Sequence, residues 1–261
     1  VSSTPMSRFG NLEFGHEFGE EANQFEVKDE AFFAARAQRA FEQTEFEPAL
    51  RYYAKVLEFN PQNTGAWAGQ VRALIELGEF REAKLWADKA LERFPRDAEL
   101  LAAKAVALGR SGDLDEALAF SDASIEERGD TPYLWLARGD VLLAREESRA
   151  DYCFEKALML APKNWFVAWL AARIRCFYQQ FAPAVKLLRQ ALEWDPGQSG
   201  LWLLLGQCQQ QLGLPGPAAQ SFTQALQLEP RCPAARLALD QLSSAGPGAH
   251  LLGWFRQLFR R

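Results

Sequence analysis

Residues 199–232 read SGLWLLLGQCQQQLGLPGPAAQSFTQALQLEPRC. This stretch spells two helices. The first runs to about Leu212 and stops at Gly213, which takes the left-handed cap conformation with no Cβ to oppose it. The second starts near Pro217, a favoured first-turn residue. It ends before Pro230, which lacks an N–H and pushes its predecessor out of helical geometry. Gly206, Ala218 and Ala225 are small enough to let two helix backbones approach, and Trp202 and Phe222 fill the space on either side. One such hairpin cannot bury its own apolar face. It needs neighbours of the same kind.

The chain supplies them. A closing proline recurs at Pro61, Pro95, Pro162, Pro196 and Pro230, with Gly129 in the one missing place. The successive spacings are 34, 34, 33, 34 and 34 residues. A fixed period of this length is the mark of a stacked helical repeat. Trp67, Gly78, Phe80, Ala83, Ala90 and Pro95 mark the second unit. Ala105, Gly112 and Ala117 mark the third, and Trp135, Gly139, Ala150, Phe154, Ala157 and Pro162 the fourth. Ala172, Phe181, Ala184, Ala191 and Pro196 mark the fifth. In the first unit Phe46, Ala49, Tyr53 and Pro61 hold, but Thr44 stands where a glycine should stop the helix. Over residues 30–245 the pattern resembles the tetratricopeptide repeat family. From Gly139 to Ala150 the chain is one residue short of that pattern, which predicts a tightened turn around Glu146–Ser148 and a local distortion.

The resemblance implies an all-α fold, a right-handed α-solenoid of about six helical hairpins. The units fall at 30–63, 64–97, 98–131, 132–164, 165–198 and 199–232, with a capping helix in 233–245. Residues 1–29 form an acidic N-terminal extension with phenylalanines at Phe9, Phe14, Phe18 and Phe25. They read either as a disordered leader or as an extended segment whose aromatics dock in a groove. After Gly246-Pro247-Gly248 comes a basic amphipathic helix within 246–261. Leu251, Leu252, Trp254, Phe255, Leu258 and Phe259 share one side, and Gly253, Arg256, Gln257, Arg260 and Arg261 the other. Such a helix folds back on the solenoid, or anchors the chain weakly to an anionic membrane surface or a partner. Self-association through either terminus is a third reading.

Composition narrows the function. A net charge of −5 argues against general nucleic-acid binding, which depends on neutralising phosphates. No apolar run reaches the length that spans a bilayer, and the first residues lack a signal-peptide pattern. Cys153, Cys176, Cys208 and Cys232 have no paired spacing. They read as buried small hydrophobes in a reducing, cytoplasmic setting, peripheral at a membrane if the tail anchors. The only histidines, His16 and His250, lie in the terminal segments. That leaves no scaffold histidine for a Ser-His-Asp arrangement, and no zinc, phosphate-loop or nucleophile-elbow motif is present. The expectation is a protein that is not an enzyme and takes no cofactor or metal.

In the family that the chain resembles, the first helices of successive units line a concave groove. The matching positions here form a ridge of Gln38, Arg72, Val106, Asp140, Arg173 and Gln207. Around it lie Tyr133, Leu136, Phe166, Trp169, Leu170, Phe177, Leu203 and Leu204. Aromatic anchors beside a few fixed charges suit a peptide or amphipathic segment of another protein. The same aromatics, Trp169 and Phe177 above all, can equally be packing between repeats. Some members grip the acidic C-terminus of Hsp70 or Hsp90 with a clamp of asparagines and lysines. Gln38, Arg72 and Val106 occupy the asparagine positions, so that partner is not expected.

Overall fold

The computed structural model describes residues 28–128 and 130–244. These fold into thirteen α-helices, with no strand among the described residues. The first helices of the hairpins are α1 (Glu30–Glu42), α3 (Thr64–Leu77), α5 (Ala98–Ser111), α7 (Pro132–Ala144), α9 (Trp165–Phe177) and α11 (Ser199–Gln211). Their partners are α2 (Phe46–Phe59), α4 (Phe80–Arg93), α6 (Leu114–Glu127), α8 (Ala150–Leu160), α10 (Phe181–Trp194) and α12 (Pro215–Leu228). A last helix, α13 (Pro233–Ser244), packs on α12. The arrangement is an α-solenoid.

Local chemistry explains the boundaries. Asp29, Asn63, Asp97 and Asn164 cap α1, α3, α5 and α9 by accepting hydrogen bonds from free first-turn N–H groups. Between the helices of each hairpin one residue takes positive φ. Glycine fills that place at Gly78, Gly112 and Gly213, and side-chain residues fill it at Thr44, Glu146 and Gln179. Helix α12 starts at Pro215, two residues before the expected Pro217. Both prolines fit the first turn, where no intrahelical N–H donor is needed. The inter-unit turns are pinned from above. Trp67 and Trp202 donate their indole N–H to the carbonyls of Pro61 and Pro196, at 3.0 and 2.9 Å. Arg236 reaches the Pro230 carbonyl in the same way, at 2.9 Å.

Small residues set the spacing inside the hairpins. Ala83, Ala87, Ala90, Ala117, Ala157, Ala184, Ala191, Ala218 and Ala225 have no exposed surface. A Cβ at Gly139 would sit 2.8 Å from the Phe154 ring, and one at Gly206 would sit 2.6 Å from Phe222. In these two hairpins the aromatic ring of the second helix therefore rests on the bare backbone of the first. Charges on the second helices in several cases bridge to a neighbouring helix or its cap. Lys84 meets Asp113 at 3.1 Å, Asp88 meets Lys104 at 2.7 Å, and Asp122 meets Arg138 at 2.6 Å. Each pair keeps a carboxylate about half exposed and so contributes about 1 kcal/mol or less.

The fourth unit departs from the rest. Helix α8 has 11 residues where α2, α4, α6, α10 and α12 have 14. The missing residue falls between Glu146 and Ala150. There the first helical turn is replaced by short hydrogen bonds, from Ala150 N to Glu147 O (3.2 Å) and from Asp151 N to Ser148 O (3.3 Å). Glu147 holds the turn by pairing with Arg145 and Arg149. The shortened α8 makes much less contact with α9 than the other second helices make with their successors.

Candidate functional site

The inner wall of the solenoid is largely occupied by the chain itself. The aromatic residues of the first hairpin reach the fifth. The Phe41 ring meets Phe166 edge-on at 6.0 Å, and Phe46 lies 6.4 Å from Trp169. Phe166 and Trp169 stack on one another at 5.5 Å. The turn residue Thr44 lies beside Gly200 at the start of α11. Phe80 of α4 packs edge-on against Phe177 at 5.9 Å. Arg173 donates from Nε to Glu76 Oε2 at 2.6 Å, across 97 residues of sequence, and its guanidinium also lies over the Phe46 and Trp169 rings. Side chains from the first two hairpins thus seal onto α9.

Beneath the seam lies a polar cluster. Arg110 Nη2 meets Asp140 Oδ2 at 2.7 Å, and the two side chains are only 6% and 1% exposed. The Tyr178 hydroxyl donates to the other oxygen of Asp140 at 2.7 Å. Burial works to lower the Arg110 pKa, but Asp140 and Glu76 outweigh it and raise it. Burial, then the Asp140 charge, push the Tyr178 phenol above its ordinary value. Burial likewise raises Tyr133, whose ring lies 4.0 Å below the Arg72 guanidinium. The space left among these groups is about 30 Å³, the volume of one water. This part of the wall is a fixed, charged core and admits no peptide in this conformation.

The sequence-predicted groove residues therefore divide. Leu136, Asp140 and Trp169 are buried by contacts within the chain. Arg72, Tyr133, Phe166 and Arg173 are half-buried in the seam. Leu203 is half-buried against the cluster that α11 shares with α12 and α13. Gln38, Phe177 and Gln207 stay exposed, with Phe177 at 45%. The anchor residues Leu251, Leu252, Trp254, Phe255, Arg256, Leu258, Phe259 and Arg260 lie outside the described residues, as does the phenylalanine-bearing extension up to residue 27.

The opening that sequence reasoning did not place is on the other side of the fifth unit. Between α8 and α10 lies a cleft of about 1110 Å³. Leu143, Phe154, Leu158, Met159, Pro183 and Leu187 supply its apolar lining, and Glu146, Glu155 and Lys186 its charges. Met159 is 74% exposed. At its base Arg175 is nearly buried. It pairs with Asp151 at 2.6 Å, donates to Gln180 at 2.8 Å and lies over the Phe154 ring. The cleft is the gap left by the shortened α8. The one-residue deficit between Gly139 and Ala150 is its sequence signal.

A stack of helical hairpins at a 34-residue period, with a glycine of the first helix against an aromatic ring of the second in the fourth and sixth hairpins, defines a helical-repeat protein of the α-solenoid class. Residues 40–107 and 178–242, together just over half of the chain, match the tetratricopeptide repeat family, and the chain belongs to it. Anaphase-promoting complex subunit 3 of Dictyostelium discoideum is 32% identical over 76 residues, which is 29% of this chain and 8% of that protein. The CTR9 homologue of Arabidopsis thaliana is 32% identical over 101 residues, 38% of this chain and 9% of that one. The chain thus spans less than a tenth of the length of these two relatives. A tetratricopeptide repeat protein from Parabacteroides merdae ATCC 43184 superimposes with a TM-score of 0.54 at 16% identity, covering 85% of this chain and 87% of its own. That likeness is one of fold.

Proposed function

We propose that the protein is a non-catalytic interaction scaffold that receives an amphipathic helical segment of another protein in the α8–α10 cleft. The observation that carries this reading is the cleft itself. It is open, apolar side chains line it beside charged ones, and α8 packs far less on its successor than the other second helices do on theirs. An added helix would restore the contact that α8 has lost to α9, with apolar residues inward and polar ones toward Glu146, Glu155 and Lys186. This is the helix-in-groove mode of recognition.

A second reading keeps the peptide on the inner wall, at what the seam leaves open. The exposure of Phe177, beside Gln207, favours it. One experiment separates the two. Peptides displayed on phage are selected on the immobilised full-length protein, and the winners are measured against variants. If the cleft is the site, Leu158→Glu lowers affinity at least tenfold, and so does inserting one alanine after Ser148. Phe177→Ala and Gln207→Ala leave it unchanged. The reverse pattern moves the site to the inner wall. Selection of no helical, amphipathic sequence overturns the scaffold reading in this form.

A further inference from the structure

Helices α9 and α11 belong to successive units and touch only sparingly. At their meeting point Cys176 and Cys208 bring their sulfurs to 3.1 Å, and both are free thiols. A disulfide needs about 2.05 Å, so an approach of about 1 Å would join them. The other described thiols stand elsewhere, Cys153 buried in α8 and Cys232 buried just before α13. We propose that Cys176 and Cys208 are a redox modification site, which closes to a reversible disulfide by exchange with a small disulfide such as oxidised glutathione.

The two thiols have different surroundings, and these assign their roles. Cys176 is half-buried and Cys208 almost wholly buried, so only Cys176 can meet a reagent from solvent. Hydrogen bonding between the two sulfurs holds the Cys176 thiol below its ordinary pKa against the effect of burial, and Arg173 one turn earlier adds to it. The same hydrogen bond and burial push Cys208 up. Cys176 is therefore the attacking thiolate and Cys208 the resolving thiol. In the first step Cys176 Sγ bonds to one sulfur of oxidised glutathione, whose S–S bond breaks and releases one glutathione thiolate. In the second, Cys208 gives its proton to that thiolate and attacks Cys176 Sγ. The mixed disulfide breaks and a second glutathione thiolate leaves. Two protein thiols are oxidised and one glutathione disulfide is reduced to two thiols.

The bond would fix the fifth unit to the sixth. Phe177 follows one cysteine and Gln207 precedes the other, so the bond would also set the spacing of the open part of the inner wall. The chemistry does not depend on whether a peptide binds there.

The test uses the folded 261-residue chain in buffers of increasing oxidised-to-reduced glutathione ratio, followed by denaturation, alkylation and mass mapping. Trypsin cuts at Arg175, Lys186 and Arg189 and places the two cysteines in different peptides. A single crosslink of Cys176 to Cys208 is expected, reversed by dithiothreitol, with Cys153 and Cys232 still alkylated. Closure should raise the melting temperature by about 5–10 °C, as a crosslink over a loop of this length does. Cys208→Ser should trap a glutathione adduct on Cys176, while Cys176→Ser leaves Cys208 unmodified. No crosslink at any ratio, a crosslink to another cysteine, or an adduct on Cys208 in the Cys176→Ser chain would each overturn the assignment.

Discussion

The fifth hairpin has two apolar sides that meet opposite fates. On one, α9 presents Phe166 and Trp169 inward, and the first hairpin covers them with Phe41 and Phe46. On the other, α10 presents Pro183 and Leu187 toward α8, and the space between stays open. Residue type does not separate these surfaces, since both are apolar. What separates them is whether another part of the chain has the length and curvature to reach them. The seam closes because the curvature of the stack brings hairpin one back to hairpin five. The cleft opens because one missing residue costs α8 its first turn.

If the seam is a true core and the cleft is not, variants on the two sides should behave differently. The largest effect is expected at Asp140→Ala. It strands the Arg110 guanidinium in a buried place, which costs about 3–5 kcal/mol, read from the midpoint of urea unfolding. The same cluster sets an alkaline limit. The folded Tyr178 pKa lies above the ordinary value of about 10, so the unfolded chain gives up that proton first. The stability this proton contributes is whole below about pH 10 and is lost as the pH rises above it. Tyrosinate absorbance and loss of helical circular dichroism should therefore rise together. Free titration of Tyr178 in a folded protein would break the account.

Trp169→Ala should follow at about 3–5 kcal/mol, since a large buried side chain leaves a cavity. The cleft side supplies its control, because Met159→Ala removes an exposed side chain and should change stability by less than about 0.5 kcal/mol. Equal losses at the two positions would erase the contrast between seam and cleft. An effect of opposite sign belongs to Glu146→Gly. Glu146 holds φ at 58°, where glycine has no Cβ to clash. Relief of that strain should stabilise the chain by about 1 kcal/mol, with faster amide exchange at residues 145–149 as the result that would count against it.

Much of this was legible in the sequence. The 34-residue period places the hairpins, and the caps Asp29, Asn63, Asp97 and Asn164 stand where the helices start. Gly206 reads as a close-approach position beside Ala218 and Ala225, and Gly139 marks the same place in the fourth unit. The groove residues were harder to read. A helical period says which residues face inward, but not that Phe41 and Phe46 arrive from four units away to cover Trp169. Asp140 and Arg173 likewise read as groove charges, because Arg110 and Glu76 lie far from them along the chain. Thr44, Glu146 and Gln179 also hid their role, since the left-handed turn they adopt is one that glycine ordinarily announces.

By itself, then, the sequence determined the helices, their pairing and their repetition, because caps, prolines and small residues act within a few turns of where they stand. Only the tertiary structure decided which inner side chains are spent on the chain's own closure and which apolar wall is left open. Those outcomes depend on curvature summed over several units and on one turn lost from α8. Neither quantity belongs to any single repeat.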